Sequence, residues 1–526
     1  MEKINSLLIQ RQYKRKLIVI FKLALVVSMK KKIIPPNWQQ QYAPKLGIDD
    51  SIYENLMAAP TCQEWIEVIR QLPKHKAAGT TKITNEMLQH LGDTAMDILW
   101  KFVSACLRLN QIPSAWRKAS IYPIPKPKPW ECKLNNTRPI TLLDTTRKAM
   151  VRLLNNRLST IFVDNSILNK TQFAGLPGSS TFEPLRIVNE IIQDAKESNN
   201  ELWILFQDLS KAYDRVNINM LIKAMERLKL PSSFINLIAN LFTDRENEVF
   251  TAVGTTPFYK VLTGIDQGEV MSPLLWCIYL DPLLCEIQQR DLGYRLQHSY
   301  KKNVHHEDTI NEEVCISDAA YMDDCNWITE SQYNLEEILQ IADEFYDFNS
   351  IQVNKEKSKL MIRSPHGPVP EIITLRFGST SIPIKPTTLN ESVRILGVWI
   401  NLNGSRTFVK NQAKDIVIQF TNAIRQKHIT DKQLLYLWNM VVIPTIEYRA
   451  QLTALTQNEC SKITSIFRRI FKNKLNLSIT APNAIMENRY IYNFRDLYEV
   501  LQQSQISNFY NQLNDRGSSI LSLTFG

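Results

Sequence analysis

Across 526 residues no CxxC spacing occurs, and the eight cysteines (positions 62, 106, 132, 277, 285, 315, 325 and 460) are scattered. That pattern argues against a zinc knuckle or a disulfide framework and reads as free thiols of an intracellular protein. An apolar run long enough to span a membrane is also missing. Leu17 to Met29 is broken by Lys22 and flanked by Lys14-Arg15-Lys16 and Lys30-Lys31-Lys32, too short and too charged for a spanning helix. Basic residues on both sides and no small-residue cleavage site speak against a secretory signal. Net charge is small outside this tail. Residues 1–32 hold nine Lys/Arg and one acid, net +8 of the formal +10, which leaves +2 for the rest. Global charge therefore carries little, and two local basic segments matter more. The apolar fraction, 44%, is ordinary for a soluble globular chain of several domains.

What is present is chemically pointed. Asp323 and Asp324 sit between short apolar flanks, Ala319-Ala320-Tyr321-Met322 and Trp327-Ile328, which predicts a β-hairpin whose tight turn carries two acids. Adjacent carboxylates repel and cost desolvation, so a cation explains their persistence, although for a bare Asp-Asp pair a solvated surface turn is the better explanation. A third acid shifts the balance. Asp208 ends the run Leu202-Trp203-Ile204-Leu205-Phe206, which predicts a fully buried strand with an acid where it leaves the core. If neighbouring strands join these acids, they form an oxygen-ligand set suited to Mg²⁺. Two such ions activate a hydroxyl and stabilise the leaving pyrophosphate in an in-line displacement. That is polymerase chemistry.

Three segments carry a resemblance. Phe206-Gln207-Asp208-Leu209-Ser210-Lys211-Ala212-Tyr213-Asp214 resembles the first catalytic motif of reverse transcriptases. Gln267-Gly268-Glu269-Val270-Met271-Ser272-Pro273-Leu274 resembles their QGxxxSPxL motif, and Tyr321-Met322-Asp323-Asp324 their YxDD box. Lys76-Ala77-Ala78-Gly79 with Asn85-Glu86-Met87-Leu88, and Arg138-Pro139-Ile140-Thr141-Leu142-Leu143 with Lys148 and Arg157-Leu158, are similar to entry blocks of non-LTR (LINE-type) retrotransposon reverse transcriptases. The resemblance runs from about residue 40 to about residue 510. Ala78 departs from the family's proline, and Thr81-Lys82 from its Asp-Gly, changes expected to loosen a fingers turn while sparing the metal acids.

The resemblance implies an α+β right-hand polymerase. Residues 1–33 are a basic tail, 34–75 an N-terminal extension, 76–190 the fingers, and 191–390 the palm with an antiparallel sheet and part of the fingers. Residues 391–404 form a primer-grip turn, 405–477 a helical thumb and 478–526 a C-terminal extension. It implies that Asp208, Asp323 and Asp324, with the Leu209 carbonyl, bind two Mg²⁺ ions, for which Mn²⁺ is a possible substitute. The expected partners are an RNA template, a DNA primer and dNTPs, with no membrane. Tyr213 is expected beneath the incoming sugar, where a planar ring leaves no room for a 2′-hydroxyl; a core tyrosine is the alternative. Gln267 offers an amide to the nucleotide and Gly268 permits close backbone approach. Ser272-Pro273 suits an N-cap followed by proline.

Triphosphate binding needs cations. Residues 117–157 carry ten Lys/Arg against two acids. By resemblance Lys126 and Arg138 grip the triphosphate, Lys128 being the alternative to Lys126 by a two-residue shift. Val353-Asn354-Lys355-Glu356-Lys357-Ser358 resembles the segment that ends the palm, with Lys357 either a proton donor to pyrophosphate or a surface lysine. Arg394-Ile395-Leu396-Gly397-Val398 resembles the primer-grip turn, Leu396 and Gly397 at its tip. Leu335, Ile338, Ala342 and Phe345 recur at helical spacing and are expected as core.

Residues 405–477 hold twelve Lys/Arg against four acids, with Pro444 interrupting an apolar stretch, as a thumb following duplex phosphates would. Phe467-Arg468-Arg469 and Phe471-Lys472 read as amphipathic packing more than as base stacking. His305-His306-Glu307-Asp308 reads as a solvated loop. No room for an upstream endonuclease is expected before residue 76, nor for a nuclease domain after 477, as in the polymerase portion of an element. A nuclear site of action is expected; the basic tail leaves a mitochondrial presequence as the alternative. Two rivals stand beside this reading: a degenerate copy that only binds RNA, and a maturase-like intron-encoded reverse transcriptase.

Overall fold

A computed structural model describes residues 33–514 except 128, 130–132, 134–135, 302–308 and 355–356. The basic tail, Lys128, the His305-His306-Glu307-Asp308 cluster and the Lys355-Glu356 pair thus lie outside the described residues.

Strands β1 (Lys118–Pro125) and β2 (Thr137–Leu142) pair antiparallel, Ile124 opposite Arg138. The chain then runs through the helices Thr145–Asp164 and Phe182–Glu197 to β3 (Leu202–Asp208). It returns to the first sheet with β4 (Arg245–Thr251), which lies parallel to β1 and carries β5 (Gly254–Thr255) and β6 (Tyr259–Val261) on its other side. This sheet is therefore built from two stretches of chain separated in sequence by β3. The insertion around residue 305 is flanked by an antiparallel ribbon, β7 (Tyr294–Lys301) and β8 (Thr309–Ile316). β9 (Asp318–Tyr321), β10 (Asp324–Thr329) and β11 (Lys359–Arg363) complete a four-stranded antiparallel palm sheet in the order β11-β3-β10-β9.

Both faces of this sheet are covered. Trp203, Leu205, Trp327, Leu360 and Ile362 face one apolar cluster, and Leu202, Ile204, Phe206, Ile328 and Met361 face another. Two-sided burial is the physical reason for the continuous apolar run before Asp208. Beneath one face lies the helix Gln332–Asn349, with Leu335, Ile338, Ala342 and Phe345 fully buried, as their spacing predicts. Trp38 of the N-terminal segment packs on Phe345 and Phe348, each 5.4 Å between ring centroids. The helix Ser272–Gln289 runs through the centre and buries nearly every side chain.

Past the palm come the hairpins β12 (Ile373–Phe377) with β13 (Thr380–Ile384) and β14 (Val393–Ile395) with β15 (Val398–Ile400). The helices Thr407–Arg425 and Gln457–Lys474 then form the thumb. Pro444 is accommodated just after a wide helical turn at Trp438–Val442, where its missing N–H breaks no regular ladder. Phe467 stacks on Trp438 at 4.2 Å and 6°, and Phe494 stacks on Trp438 at 5.2 Å and lies 5.9 Å from Phe467. Phe467 and Phe471 are thus core, and Arg468 is paired with Glu487 and Asp496. The same core reaches Leu497 and Leu501, so packing does not break at residue 477: the first part of the C-terminal extension belongs physically with the thumb. No helix among the described residues is long and apolar enough to cross a membrane.

Candidate active site

The register of the palm sheet decides where the acids fall. β10 begins at Asp324, directly opposite Asp208 of β3, and Asp323 lies in the two-residue turn before it. Residues 115 positions apart or more thus come together as the hairpin and the buried strand predict. Met322 holds the turn in a left-handed conformation, φ 56°. Such a conformation is costly for a side chain of this kind and needs support. Met322 N–H donates to Gln172 Oε1 at 3.2 Å, and its carbonyl accepts from Trp276 Nε1 at 2.8 Å.

Asp208 Oδ2 accepts from Lys357 Nζ at 2.8 Å, and the Asp208 carbonyl accepts from Asn354 N–H at 2.8 Å. The segment ending the palm therefore returns to the first acid. Desolvation raises the Asp323 carboxyl above its ordinary range, Asp208 adds to this, and Lys357 draws it partly back. Desolvation, then Asp323 and Asp208, pushes the Asp324 carboxyl up to about 6. The acids form a negative cluster that Lys357 offsets only in part, which is an environment a divalent cation relieves. Among the described residues no three His, Cys, Asp or Glu side chains are already gathered as a ligand set. The donor chemistry fits a hard cation, and Asp208 is turned toward Lys357.

A cleft of about 1390 Å³ opens beside these acids. Asp208, Leu209, Tyr213, Asp323 and Lys357 line it from the palm, and Lys126, Arg138, Gln267 and Gly268 from the fingers side. Nine of the expected site residues therefore share one concavity. Asp324, exposed at the head of β10, does not line it, nor do Leu396 and Gly397. Those two form the turn of the β14–β15 hairpin with φ 46° and 90°. The thumb's Tyr448 hydroxyl donates to the Leu396 carbonyl at 2.5 Å and lies 3.1 Å from Thr181 Oγ1. Tyr213 is half-buried, its ring 6.0 Å from Trp276 and its hydroxyl donating to Met322 Sδ at 3.6 Å. Burial, then Cys277 and Asp323, keeps its phenol far above its ordinary value, so it stays neutral.

Two expectations change in detail. Gly268 (φ 142°) is required by a neighbouring strand: a Cβ there would lie 2.3 Å from the Thr141 carbonyl oxygen, beside the bond from Thr141 N–H to the Gln267 carbonyl at 2.8 Å. Close approach of fingers backbone, in addition to cleft lining, explains the glycine. Ser272 is the first residue of its helix and not the cap; its hydroxyl donates to the Asp266 carbonyl at 2.8 Å. The entry segment is not loosened either. Gly79 packs against the Leu143-Asp144 backbone, where a Cβ would meet Leu143 at 2.5 Å, and Thr81 Oγ1 donates to Asp144 at 2.8 Å.

Other residues at the cleft were not singled out from sequence. Lys211, Arg215, Asn354 and Arg394 line it; Lys211, Asn354 and Arg394 lie inside the motifs quoted above, and Arg215 directly follows one. Arg147, Arg245, Asp266 and Glu269 form a buried charge cluster behind Gln267, and no local pattern announces it.

A cleft with facing acids at the head of an antiparallel palm sheet, lined from palm and fingers, defines a template-directed nucleotidyl polymerase fold. Residues 124–400 match the family model described as "Reverse transcriptase (RNA-dependent DNA polymerase)", and the chain belongs to that family. It is 32% identical over 226 residues to the Drosophila melanogaster protein named "Probable RNA-directed DNA polymerase from transposon BS", covering 42% of this chain and 24% of that one. It is 23% identical over 430 residues to the Pol polyprotein of the type-1 retrotransposable element R2 of Popillia japonica, covering 81% and 56%. The chain thus spans about a quarter to a half of these relatives' lengths. A solved telomerase structure from Candida albicans superposes with a TM-score of 0.36 at 13% identity, over 78% of this chain and 65% of that one, too loosely to add to the fold described.

Proposed function

We propose that the chain is the RNA-directed DNA polymerase segment of a non-LTR retroelement, extending a DNA primer with dNTPs on an RNA template. The observation that carries this reading is the in-register meeting of Asp208 and Asp324 beside a cleft that Asp208 lines together with Asp323, Tyr213, Gln267 and two fingers cations. Asp208, Asp323, Asp324 and the Leu209 carbonyl are the groups that would hold two Mg²⁺ ions. Bound there, the ions supply activation of the primer 3′-hydroxyl and neutralisation of the leaving pyrophosphate.

The chain's own residues supply the rest. Lys126 and Arg138 neutralise the triphosphate as it enters. Gln267 positions the nucleotide, and Tyr213 closes the space a 2′-hydroxyl would need. Lys357, which lines the cleft and donates to Asp208, is the ammonium that would supply a proton to the leaving pyrophosphate. The β14–β15 turn, fixed by Tyr448, supports the primer from the thumb side. Extension of a DNA primer on an RNA template by the purified chain, dependent on Mg²⁺ and lost in Asp323→Ala, is the expected result. Template binding without any incorporation of dNTPs would instead make the chain an RNA-binding protein.

A further inference from the structure

Four ionisable side chains with almost no solvent exposure meet behind the Gln267-Gly268 turn. Arg147, from the helix Thr145–Asp164, donates from Nε to Glu269 at 2.9 Å, from Nη2 to Asp266 at 3.3 Å, and from Nη1 to the Trp116 carbonyl at 2.7 Å. Arg245, at the start of β4, donates from Nη1 to Asp266 at 2.7 Å and from Nη2 to the carbonyls of Thr263 and Gly264 at 2.9 and 2.5 Å. The loop is therefore held at positions 263, 264, 266 and 269, on both sides of residue 267. The Gln267 carbonyl is held as well, by Thr141 N–H. Its side chain makes no hydrogen bond with the described residues and lines the cleft.

Stability alone does not call for such a cluster. Buried ion pairs cost several kcal/mol per ion to desolvate, and replacing a whole pair by apolar residues of similar volume is often neutral or stabilising. What charge-assisted, forked hydrogen bonds provide is direction. Here they fix a turn to two fingers elements and leave one amide free to face the cleft. Arg147 does this from a helix that begins just after β2, the strand carrying Arg138.

We infer that Arg147, together with Arg245, is a positioning residue for Gln267, setting where the nucleotide pocket's amide stands relative to the triphosphate cations. This rests on the polymerase reading above. Arg147 does not line the cleft, so any effect on nucleotide use passes through the loop.

The test is a double-mutant cycle. Arg147→Met/Glu269→Met removes one charge of each sign while keeping volume, and Arg147→Lys keeps the charge but loses the fork. Each is made alone and combined with Gln267→Ala. Single-nucleotide incorporation on a primed RNA template is read as KM and kcat for dNTP, beside thermal melting and template–primer Kd. Displacing a substrate-positioning group by about 1 Å costs up to about 100-fold. The expected result is a ~10–100-fold fall in kcat/KM, mainly through KM, with template–primer Kd unchanged and the effect vanishing in the Gln267→Ala background. A loss of equal size in both backgrounds, or no loss in a folded variant, overturns the inference while leaving the polymerase reading intact. Failure of the unaltered chain to incorporate any dNTP would sink both.

Discussion

Asp318, the first residue of β9, is 1% exposed, and neither carboxyl oxygen has a hydrogen-bond partner in good geometry. Thr171 lies close enough to draw its pKa down in part, but burial prevails and pushes it from 3.8 up to about 7. The folded-state pKa is raised, so the folded chain binds the proton more tightly than the unfolded chain. The associated stability is complete below pH 3.8 and is lost as pH rises toward 7. One pKa unit is worth about 1.4 kcal/mol, so the loss between pH 5 and pH 7 approaches about 2.5 kcal/mol as an order of magnitude. Asp318→Asn keeps the shape and removes the titration. Urea melts of both proteins without divalent ions, at pH 5, 6 and 7, isolate the difference, because other buried acids titrate alike in each. The variant should gain on the wild type steadily across this range, by roughly 2 kcal/mol or more at pH 7. Parallel stability profiles would refute the argument that this carboxyl is desolvated without compensation.

Three further outcomes follow from the site and its frame. Tyr213→Ala should let ribonucleotides compete with dNTPs in primer extension, and unchanged sugar discrimination would remove the ring from the gate. Gly268→Ala forces a Cβ to within 2.3 Å of the Thr141 carbonyl, so it should cost about 1–3 kcal/mol by overpacking and weaken dNTP use. Wild-type stability and kinetics would show that the loop and β2 can part without consequence. Lys82, which departs from the glycine of the resembled entry motif, stands with φ 61°. Lys82→Gly should therefore raise stability by about 0.5–1 kcal/mol, the left-handed penalty less glycine's extra chain entropy, and a drop in the urea midpoint would contradict this.

Much of the site was legible because its parts obey local rules. A fully apolar strand ending in Asp208 and an alternating hairpin around Asp323-Asp324 each announce themselves, and two-sided burial of the palm sheet explains both. What stayed hidden depends on partners distant in sequence. Arg147 and Glu269 are separated by 122 positions, and nothing near either residue signals a buried pair. Tyr448 fixes the Leu396-Gly397 turn from a thumb helix whose pattern marks only packing. Gly268 was read as clearance for a ligand, whereas the Thr141 backbone alone is enough to demand it. Residues 405–477 read as one unit from their helix-prone, basic composition, and the Trp438 stack recruits Phe494 beyond it.

The central claim is that Asp208, Asp323 and Asp324 converge on a pair of divalent ions beside the primer terminus. Electron paramagnetic resonance of Mn²⁺ bound to the chain with primed RNA template and a non-hydrolysable dNTP measures this directly. The account predicts two spin-coupled Mn²⁺ per chain, with the coupling abolished in Asp208→Asn and in Asp323→Asn. Uncoupled, weakly held Mn²⁺ that is indifferent to both substitutions would contradict it.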